Sequence, residues 1–349
     1  MKLKSILCTF LCATLILGSL ISCIPQKEPE PQSESYYQFF DTVSAIFSYA
    51  GDSEEVFKEN AKAVSSLLSE YHKLFDIYYE YDGINNLRTL NKNAGKEPIK
   101  LDAKLIDFLL YCKEMYTITG GKTNIAMGSV LKLWHDAREE GLDEPENAKL
   151  PDSKMLQDAS LHTDINSLII DKAAGTVLIS DPKVQLDVGA IAKGYAAEKA
   201  AELLKERGAT SYVLNIGGNI CAIGEKTGGE GWTIGITNPD KTSDEAFACK
   251  VKIKNTSLVT SGDYERFYTV DGKRYHHIID PETLMPSDYF SSVSVFVSDS
   301  GLADVLSTAL FCMSYEDGLA LAEKLGAEVI WVRQNGELLM TGGVEIVKN

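Results

Sequence analysis

The sequence predicts an α+β fold, in which a mixed, mostly antiparallel sheet is packed by helices. Segments that alternate apolar and polar residues outnumber segments with helical periodicity, which indicates many short strands. Two pairs of these strands are joined by hairpin signals, at Asp271-Gly272 and Asn335-Gly336. The helical segments fall between strands without the regular strand–helix alternation of a parallel sheet, which favours α+β over α/β.

The predicted elements extend from residue 39 to residue 341. Apolar residues at helical spacing predict helices over residues 53–75, 102–119, 195–207 and 302–313. Alternating or β-branched segments predict strands and hairpins over residues 39–49, 165–180, 211–216, 231–237, 248–254, 258–280, 293–297 and 329–341.

The segment before residue 37 is not expected to belong to this fold. Residues 1–22 have a basic start, a short apolar run and small residues before Cys23, which is typical of a lipoprotein signal peptide. The alternative is an ordinary signal peptide with an incidental cysteine. Lipidation of Cys23 would leave residues 23–36, rich in Pro, Glu and Gln, as a flexible tether. We therefore expect an extracytoplasmic protein, anchored to the membrane by lipid, with residues 37–349 as its folded domain.

The charge of the chain excludes one class of partner. A formal net charge of −16 argues against nucleic acid, because phosphate backbones are bound by clustered Lys and Arg. An anionic ligand would have to be held by a few local cations and dipoles. Four cysteines follow Cys23 without the spacing of a zinc site, and free thiols and disulfides both stay open for Cys112, Cys221, Cys249 and Cys312.

The stretch from Leu186 to Gly224 is the centre of the sequence. A short strand ends at Asp187, a Gly-rich turn contains Ala190 and Lys193, and an Ala-rich helix follows. Such a strand–turn–helix presents backbone N–H groups, a lysine and a carboxylate at one place, which suits a phosphate bound with a metal. Glycine-containing turns of this kind are also often purely structural.

Three other groups of residues are candidates for chemistry. Asp304 and Thr308 lie four apart on a predicted helix and share one face; they either cap and back-bond locally or bind a hard cation such as Mg²⁺. The tyrosine-rich segment that starts at Tyr78 is either a surface loop or a wall for stacking a flat ligand. Lys122 and its neighbours follow a double glycine that allows close approach of a ligand.

Five motifs, taken together, resemble one known family. In chain order they are LDVGAIAKGYA, NIGGN, TSGDYERF, HHIIDP and ADVLST. The set resembles the FAD:protein FMN transferase (ApbE) family of flavin-handling lipoproteins, over residues 39–341. The resemblance implies a compact α+β fold of two interleaved lobes with FAD between them, and Mg²⁺-dependent cleavage of the FAD pyrophosphate. In transferases of this family FMN passes to a Thr or Ser of a partner redox protein and AMP leaves, whereas some members mainly release free FMN.

The resemblance also implies roles for individual residues. The metal ligands would be the carbonyl of Ala190 and the side chains of Asp304 and Thr308, with Ser307 as a further oxygen. His277 would be the base that deprotonates the acceptor hydroxyl, although it also reads as a hydrogen-bonded histidine that closes a hairpin. Asp187 and Lys193 would act at the flavin nucleotide. The remaining flavin-nucleotide contacts would be Phe40, Tyr78, Asn85, Lys122, Thr123, Asn124 and Ile278.

The chain departs from the family pattern at three places. Phe40-Asp41-Thr42 stands where many relatives have Met-Gly-Thr, residues 122–124 stand where Ala-Phe-Asp is common, and Leu284 replaces a glycine. Three functions therefore stay open: an FMN transferase, a FAD pyrophosphatase yielding FMN and AMP, and a flavin-binding lipoprotein without catalysis. Retention of the implied metal ligands argues against the third.

Overall fold

A continuous antiparallel sheet of eight strands is the framework of the protein. The computed structural model describes residues 30–226 and 228–347. Within them the strand order is β1-β2-β6-β7-β10-β13-β14-β15, and every neighbouring pair is antiparallel. These strands are β1 Gln32–Phe39, β2 Thr42–Ser48, β6 Ser211–Ile216, β7 Asn219–Gly224, β10 Ser257–Gly262, β13 Ser292–Val297, β14 Glu328–Val332 and β15 Leu338–Met340. The predicted α+β class is confirmed.

Three smaller antiparallel sheets complete the strands that the structure describes. They are β3-β5-β4 (Ile99–Lys100, Thr176–Ile179, Leu168–Asp171), β8-β9 (Trp232–Thr237, Phe247–Ile253) and β11-β12 (Phe267–Val270, Lys273–His276). The predicted hairpin turns are both present: Asp271-Gly272 joins β11 to β12, and Gly336, with a φ of 84°, lies between β14 and β15.

Helices cover one face of the main sheet, and most of them begin at a side-chain cap. Their bounds are α1 Glu54–Phe75, α2 Leu87–Lys92, α3 Ala103–Ile118, α4 Gly128–Asp143, α5 Ser153–Ser160, α6 Ala192–Glu206, α7 Ser300–Phe311 and α8 Tyr315–Leu325. Ser53, Asn86, Asp299 and Ser314 each accept a hydrogen bond from a backbone N–H in the first turn of the helix that follows. The predicted helices are confirmed to within three residues at their starts, and α2, α4, α5 and α8 are additional.

The main sheet is buried on both faces, which explains why its central strands are almost wholly apolar. Side chains alternate along β6, so Tyr212 and Leu214 pack into the large core with α1, α3 and α6, whereas Val213 faces the core under β8-β9. A third apolar cluster joins α7 and α8 to β13 and β14. These cores fix α6 and α7, the two helices that carry most of the predicted site.

The start of the folded body differs from the prediction. Residues 32–36, predicted as tether, belong to β1, and the strand predicted over 39–49 is interrupted by a turn. Phe40 and Asp41 have φ of 53° and 51°, the geometry of a two-residue hairpin turn that glycine usually supplies. β1 is an edge strand, so Tyr36 and Phe39 suffice to hold it on the core while its other side chains stay polar.

The remaining predictions about organisation have these outcomes. The described residues from Pro31 onward form one compact unit, and its division into two lobes stays a prediction. The signal peptide and Cys23 lie outside the described residues. No helix in residues 30–226 and 228–347 is long and apolar enough to cross a bilayer. Cys112, Cys221, Cys249 and Cys312 are free thiols.

Candidate functional site

The strand predicted to end at Asp187 is absent, since only an isolated bridge between Met127 and Gln185 occurs there. The segment is instead held by hydrogen bonds to side chains and backbone. Leu186 exchanges two hydrogen bonds with the buried side chain of Asn91, at 2.8 and 3.0 Å. The N–H of Asp187 donates to the carbonyl of Ile125 at 2.8 Å, and its Oδ1 accepts from Gly189 N–H at 2.9 Å. Burial raises the pKa of the Asp187 carboxyl, opposed by the Gly189 hydrogen bond and by nearby cationic side chains. The turn is thus a rigid support for a carboxylate.

Asp304 joins the two central helices. Its Oδ2 accepts a hydrogen bond from the N–H of Gly194 in α6 at 2.7 Å, across 110 residues of sequence. Only a glycine fits there, because a Cβ on Gly194 would lie 2.3 Å from the Cβ of Asp304 and 2.4 Å from the carbonyl of Ser300. A second link joins the same helices, since the Glu198 carboxylate accepts from Ser300 N–H at 2.7 Å.

Asp304 is a buried carboxylate with few partners. It is 4% exposed, and burial raises its pKa, opposed mainly by the charge of Lys193. The side-chain amide of Asn219 is buried beside the carboxylate, and its hydrogen bonding also opposes the rise in pKa. A buried anion with so few partners is costly unless a further ligand completes the arrangement.

Three hydroxyl groups lie together near Asp304 on α7. Ser261 on β10 lies 2.8 Å from the Ser307 hydroxyl and 3.5 Å from the Thr308 hydroxyl, and Ser307 donates to the carbonyl of Asp304 at 2.9 Å. No group of three His, Cys, Asp or Glu side chains that could hold a metal occurs in the described residues. A metal here would therefore be bound by one carboxylate with hydroxyl and carbonyl oxygens, a set that suits a hard cation.

Ala190 and Lys193 lie where the chain enters α6. Ala190 is half-buried in the turn between Asp187 and the helix, and Lys193 is in the first helical turn. The Lys193 ammonium donates to the carbonyl of Gly189 at 3.5 Å, which places it over the same turn. The structure therefore brings Asp187, Ala190, Lys193 and Asp304 to one end of α6.

His277 is held in the tautomer that a general base requires. Its Nδ1 lies 3.2 Å from the carbonyl of Arg266, which can only accept, so the proton is on Nδ1 and the lone pair is on Nε2. Nε2 has no hydrogen-bond partner within residues 30–226 and 228–347. By contrast, both ring nitrogens of the buried His276 are used, by Ser287 and by Ile278. His276 is structural.

Burial lowers the pKa of His277 to about 3, reinforced by the charge of Arg266. An unfolded histidine binds a proton below about pH 6.5, so the folded state loses stability as the pH falls through that value and the loss ends near pH 3. When the pH is lowered from 7.5 to 5, we expect the melting temperature of the wild type to fall by more than that of His277→Gln. Thermal unfolding at both pH values checks this; a constant difference would contradict it.

Tyr78 is exposed at the edge of the site. Its side chain is 56% exposed, its ring centroid is 6.3 Å from that of His135, and its backbone N–H is held by Asp76 at 2.7 Å. The same carboxylate holds Tyr79 and Tyr81, so the loop is fixed while the Tyr78 ring stays open to solvent. This arrangement suits a stacking surface.

Residues 122–124 are engaged in bonds within the protein. Lys122 forms ion pairs with Asp280 and Glu282 at 3.1 and 3.0 Å. The Thr123 hydroxyl donates to a carbonyl of α7 at 3.0 Å, and the Asn124 amide donates to that of Thr163 at 2.9 Å. They position the chain around α7; a direct contact with a nucleotide stays a prediction.

The other predicted contacts lie at three separate places. Phe40 is in the β1–β2 turn, where its N–H donates to His72 at 3.3 Å. Ile278 is buried behind His277. Asn85 is exposed and donates to the carbonyl of Lys100 at 2.9 Å, and no described hydrogen bond links it to the other site residues.

Sequence reasoning missed three cationic or titratable side chains near Asp187 and His277. His135 and Arg138 lie on α4, where polar residues three apart resemble an ordinary solvated face. Arg266 was part of the motif TSGDYERF but received no role. Its position directly before Phe267, the first residue of an aromatic hairpin, was the available signal.

Known proteins resemble this chain in sequence and in fold. The model of the ApbE family matches residues 40–331. The FAD:protein FMN transferase of Treponema pallidum is 35% identical over 273 residues, covering 74% of this chain and 73% of the relative. The solved ApbE protein of Thermotoga maritima superposes with a TM-score of 0.78 at 25% identity, and the flavin transferase ApbE of Vibrio cholerae with 0.74 at 25%; each match covers 90% of this chain and 97% of the other. The chain therefore belongs to the ApbE family.

Proposed function

We propose that this protein is a Mg²⁺-dependent FAD:protein FMN transferase, which cleaves the FAD pyrophosphate, attaches FMN through a phosphoester to a Thr or Ser of a target redox protein and releases AMP. The observation that carries the proposal is the buried Asp304 carboxylate, held between α6 and α7 beside Lys193 and a group of hydroxyls. The activity named for the relatives supports the same reaction.

The metal would be held by Asp304, Thr308 and the carbonyl of Ala190. One carboxylate with neutral oxygens leaves room for water and substrate phosphate, as Mg²⁺ prefers. When bound, Mg²⁺ supplies charge neutralisation on the pyrophosphate and stabilises the departing AMP. Lys193 adds a second positive charge at the same turn, and the Asn219 amide beside Asp304 would help to hold the carboxylate in place.

The proton would move to His277. Nε2 of His277 accepts the proton of the acceptor hydroxyl, whose oxygen bonds to the phosphorus of the FMN half. The phosphorus–oxygen bond to the AMP half breaks, and AMP leaves with the bridging oxygen. The depressed pKa keeps this imidazole neutral throughout the physiological range. Tyr78 would stack on the isoalloxazine ring, and the rigid Asp187 turn would orient the nucleotide.

We further propose that the mature protein acts outside the cytoplasm, anchored through lipidated Cys23. Water in place of the acceptor hydroxyl would make the same residues a FAD pyrophosphatase, and the exposed face of Tyr78 leaves the site accessible to either acceptor.

One experiment tests these possibilities together. The protein is incubated with FAD and Mg²⁺, with and without a co-expressed candidate redox protein, while AMP, free FMN and protein-bound flavin are measured. Protein-bound flavin with stoichiometric AMP is the expected result. AMP with free FMN and no labelled Thr or Ser would favour the pyrophosphatase, and FAD bound without cleavage would leave only a carrier.

Replacement of His277 by glutamine tests the base. We expect the rate of flavin transfer to fall by about 10² to 10⁴-fold, because glutamine cannot take the proton, while FAD affinity is unchanged. The measurement is single-turnover transfer together with FAD binding. His162→Gln is the control, since His162 pairs with Asp181 at 2.7 Å outside the site. Equal rates for His277→Gln and wild type would exclude His277 as the base.

A further inference from the structure

His276 is the last residue of β12 and directly precedes the proposed base. We infer that His276 is the positioning residue of His277: its imidazole holds the peptide that follows His277 and ties it to the end of α7, the helix that carries Asp304 and Thr308. The inference rests on His277 being the base, as proposed above. His276 does not touch the reacting atoms, so its effect on the reaction is exerted through His277.

Both peptide groups that flank His277 are held in place. On one side, the N–H of His277 donates to the carbonyl of Arg266 at 3.1 Å. On the other side, the N–H of Ile278 donates to Nδ1 of His276 at 3.2 Å. With the backbone fixed on either side, the direction of the Cα–Cβ bond of His277 is fixed as well. The hydrogen bond from its own Nδ1 to Arg266 then sets the orientation of the ring.

The other edge of the His276 ring is linked to α7. Its Nε2 lies 2.7 Å from the carbonyl of Ser287, whose N–H donates to the carbonyl of Ile278 at 3.1 Å. The Ser287 hydroxyl donates to the carbonyl of Phe311, the last residue of α7, at 2.7 Å. The His276 ring also packs edge-on against Phe311, with the ring centroids 5.5 Å apart. All four residues are buried, so these contacts form a rigid link between His277 and α7.

This link requires a neutral His276 in one tautomer. The carbonyl of Ser287 can only accept and the N–H of Ile278 can only donate, so the proton is on Nε2 and the lone pair is on Nδ1. Burial lowers the pKa of His276, while the nearby charges of Asp263 and Arg274 act in opposite directions. A protonated ring could not accept from Ile278, so burial keeps the link intact.

Two substitutions separate the two hydrogen bonds of His276. The side-chain oxygen of His276→Asn replaces Nδ1 and can still accept from Ile278, whereas the amide nitrogen of His276→Gln replaces Nε2 and can still donate to Ser287. We expect His276→Gln to lower the rate of single-turnover flavin transfer at saturating FAD by about 10²-fold, the effect of a misplacement of about 1 Å. His276→Asn should stay within about 10-fold of the wild type. FAD affinity should be unchanged in both variants.

A double-mutant cycle with His277→Gln tests whether His276 acts through His277. In the His277→Gln background the base is already lost, so His276→Gln should have no further effect on the residual rate. A merely structural role would instead slow transfer by the same factor in both backgrounds.

Asn60→Ala is the control for loss of a buried polar group. Asn60 is a buried residue of α1 that bonds Tyr212 and Arg207, and Arg207 caps the end of α6 that lies away from the site. This variant should melt at a lower temperature than the wild type and transfer flavin at the wild-type rate.

Two results would overturn the inference: equal slowing by His276→Gln in both backgrounds, or a wild-type rate for His276→Gln alone. Absence of transfer by the wild type would instead overturn the proposed function, and a wild-type rate for His277→Gln would overturn its base. The failures are therefore distinguishable.

Discussion

Asp304→Asn is expected to lower FAD cleavage and flavin transfer by about 10² to 10³-fold, the usual effect of losing one preorganised charge contact. The substitution keeps an oxygen that can accept from Gly194 N–H but removes the charge that would hold the cation. Burial raises the pKa of Asp304, so the ionised carboxylate costs stability above the normal carboxyl pKa when no metal is present. In EDTA the variant should therefore melt at the same temperature as wild type or higher.

Thermal unfolding with and without Mg²⁺ separates this metal role from simple damage. Mg²⁺ at 100 times its dissociation constant should stabilise wild type by about 2.7 kcal/mol and leave Asp304→Asn unaffected. Asp317→Asn is the control, because Asp317 is in α8 and bonds Ser314 at the surface. If Mg²⁺ raised the melting temperature of Asp304→Asn as much as that of the wild type, Asp304 would not be a metal ligand.

Gly194→Ala is expected to abolish most activity and to destabilise the fold by about 1–3 kcal/mol, the cost of overpacking. Alanine normally stabilises a helix interior by roughly 0.5–1 kcal/mol relative to glycine, so the expected sign is the reverse of the usual one. The cause is the 2.3 Å approach of the new Cβ to Asp304, which would push α6 and α7 apart and move Lys193 away from the carboxylate.

Gly318→Ala provides a control for helix propensity. Gly318 is in α8, and its Cβ would meet Leu310 and Trp331 at ordinary van der Waals distances of 3.6 and 3.7 Å. This variant should be neutral or slightly stabilised and fully active. Denaturant unfolding and the AMP-release assay on both variants check the prediction; a stable and active Gly194→Ala protein would contradict it.

The strands and helices with strong periodicity were predictable from sequence, and so was the turn that leads from Asp187 to Lys193 into α6. Asp304 stood out because a carboxylate on an apolar helix needs a reason to be buried. What the sequence could not give was the partner of that carboxylate, since a backbone N–H such as that of Gly194 has no signature in residue type. Predicting it requires knowing that two helices distant in sequence pack closely.

Other features were hidden for different physical reasons. β1 has only a few apolar residues, and it is held to β2 by backbone hydrogen bonds. Backbone pairing does not depend on residue type, so the sequence of β1 lacks the alternation that predicts a strand. Helix α4 is amphipathic, so His135 and Arg138 are indistinguishable from a solvated face until the fold places Tyr78 opposite them. Lys122 looked available for phosphate because its partners, Asp280 and Glu282, come from a distant loop.

The hydrogen bond between Gly194 and Asp304 has a consequence for the order of events in folding. Because 110 residues separate its two ends, the entropy of closing that loop must be overcome by packing of α6 on α7 before the carboxylate reaches its place. We expect a cation bound there to act mainly on unfolding, because its ligands come together only once α6 has packed on α7. It would then slow unfolding more than it speeds folding, and the ion would make the native state longer-lived.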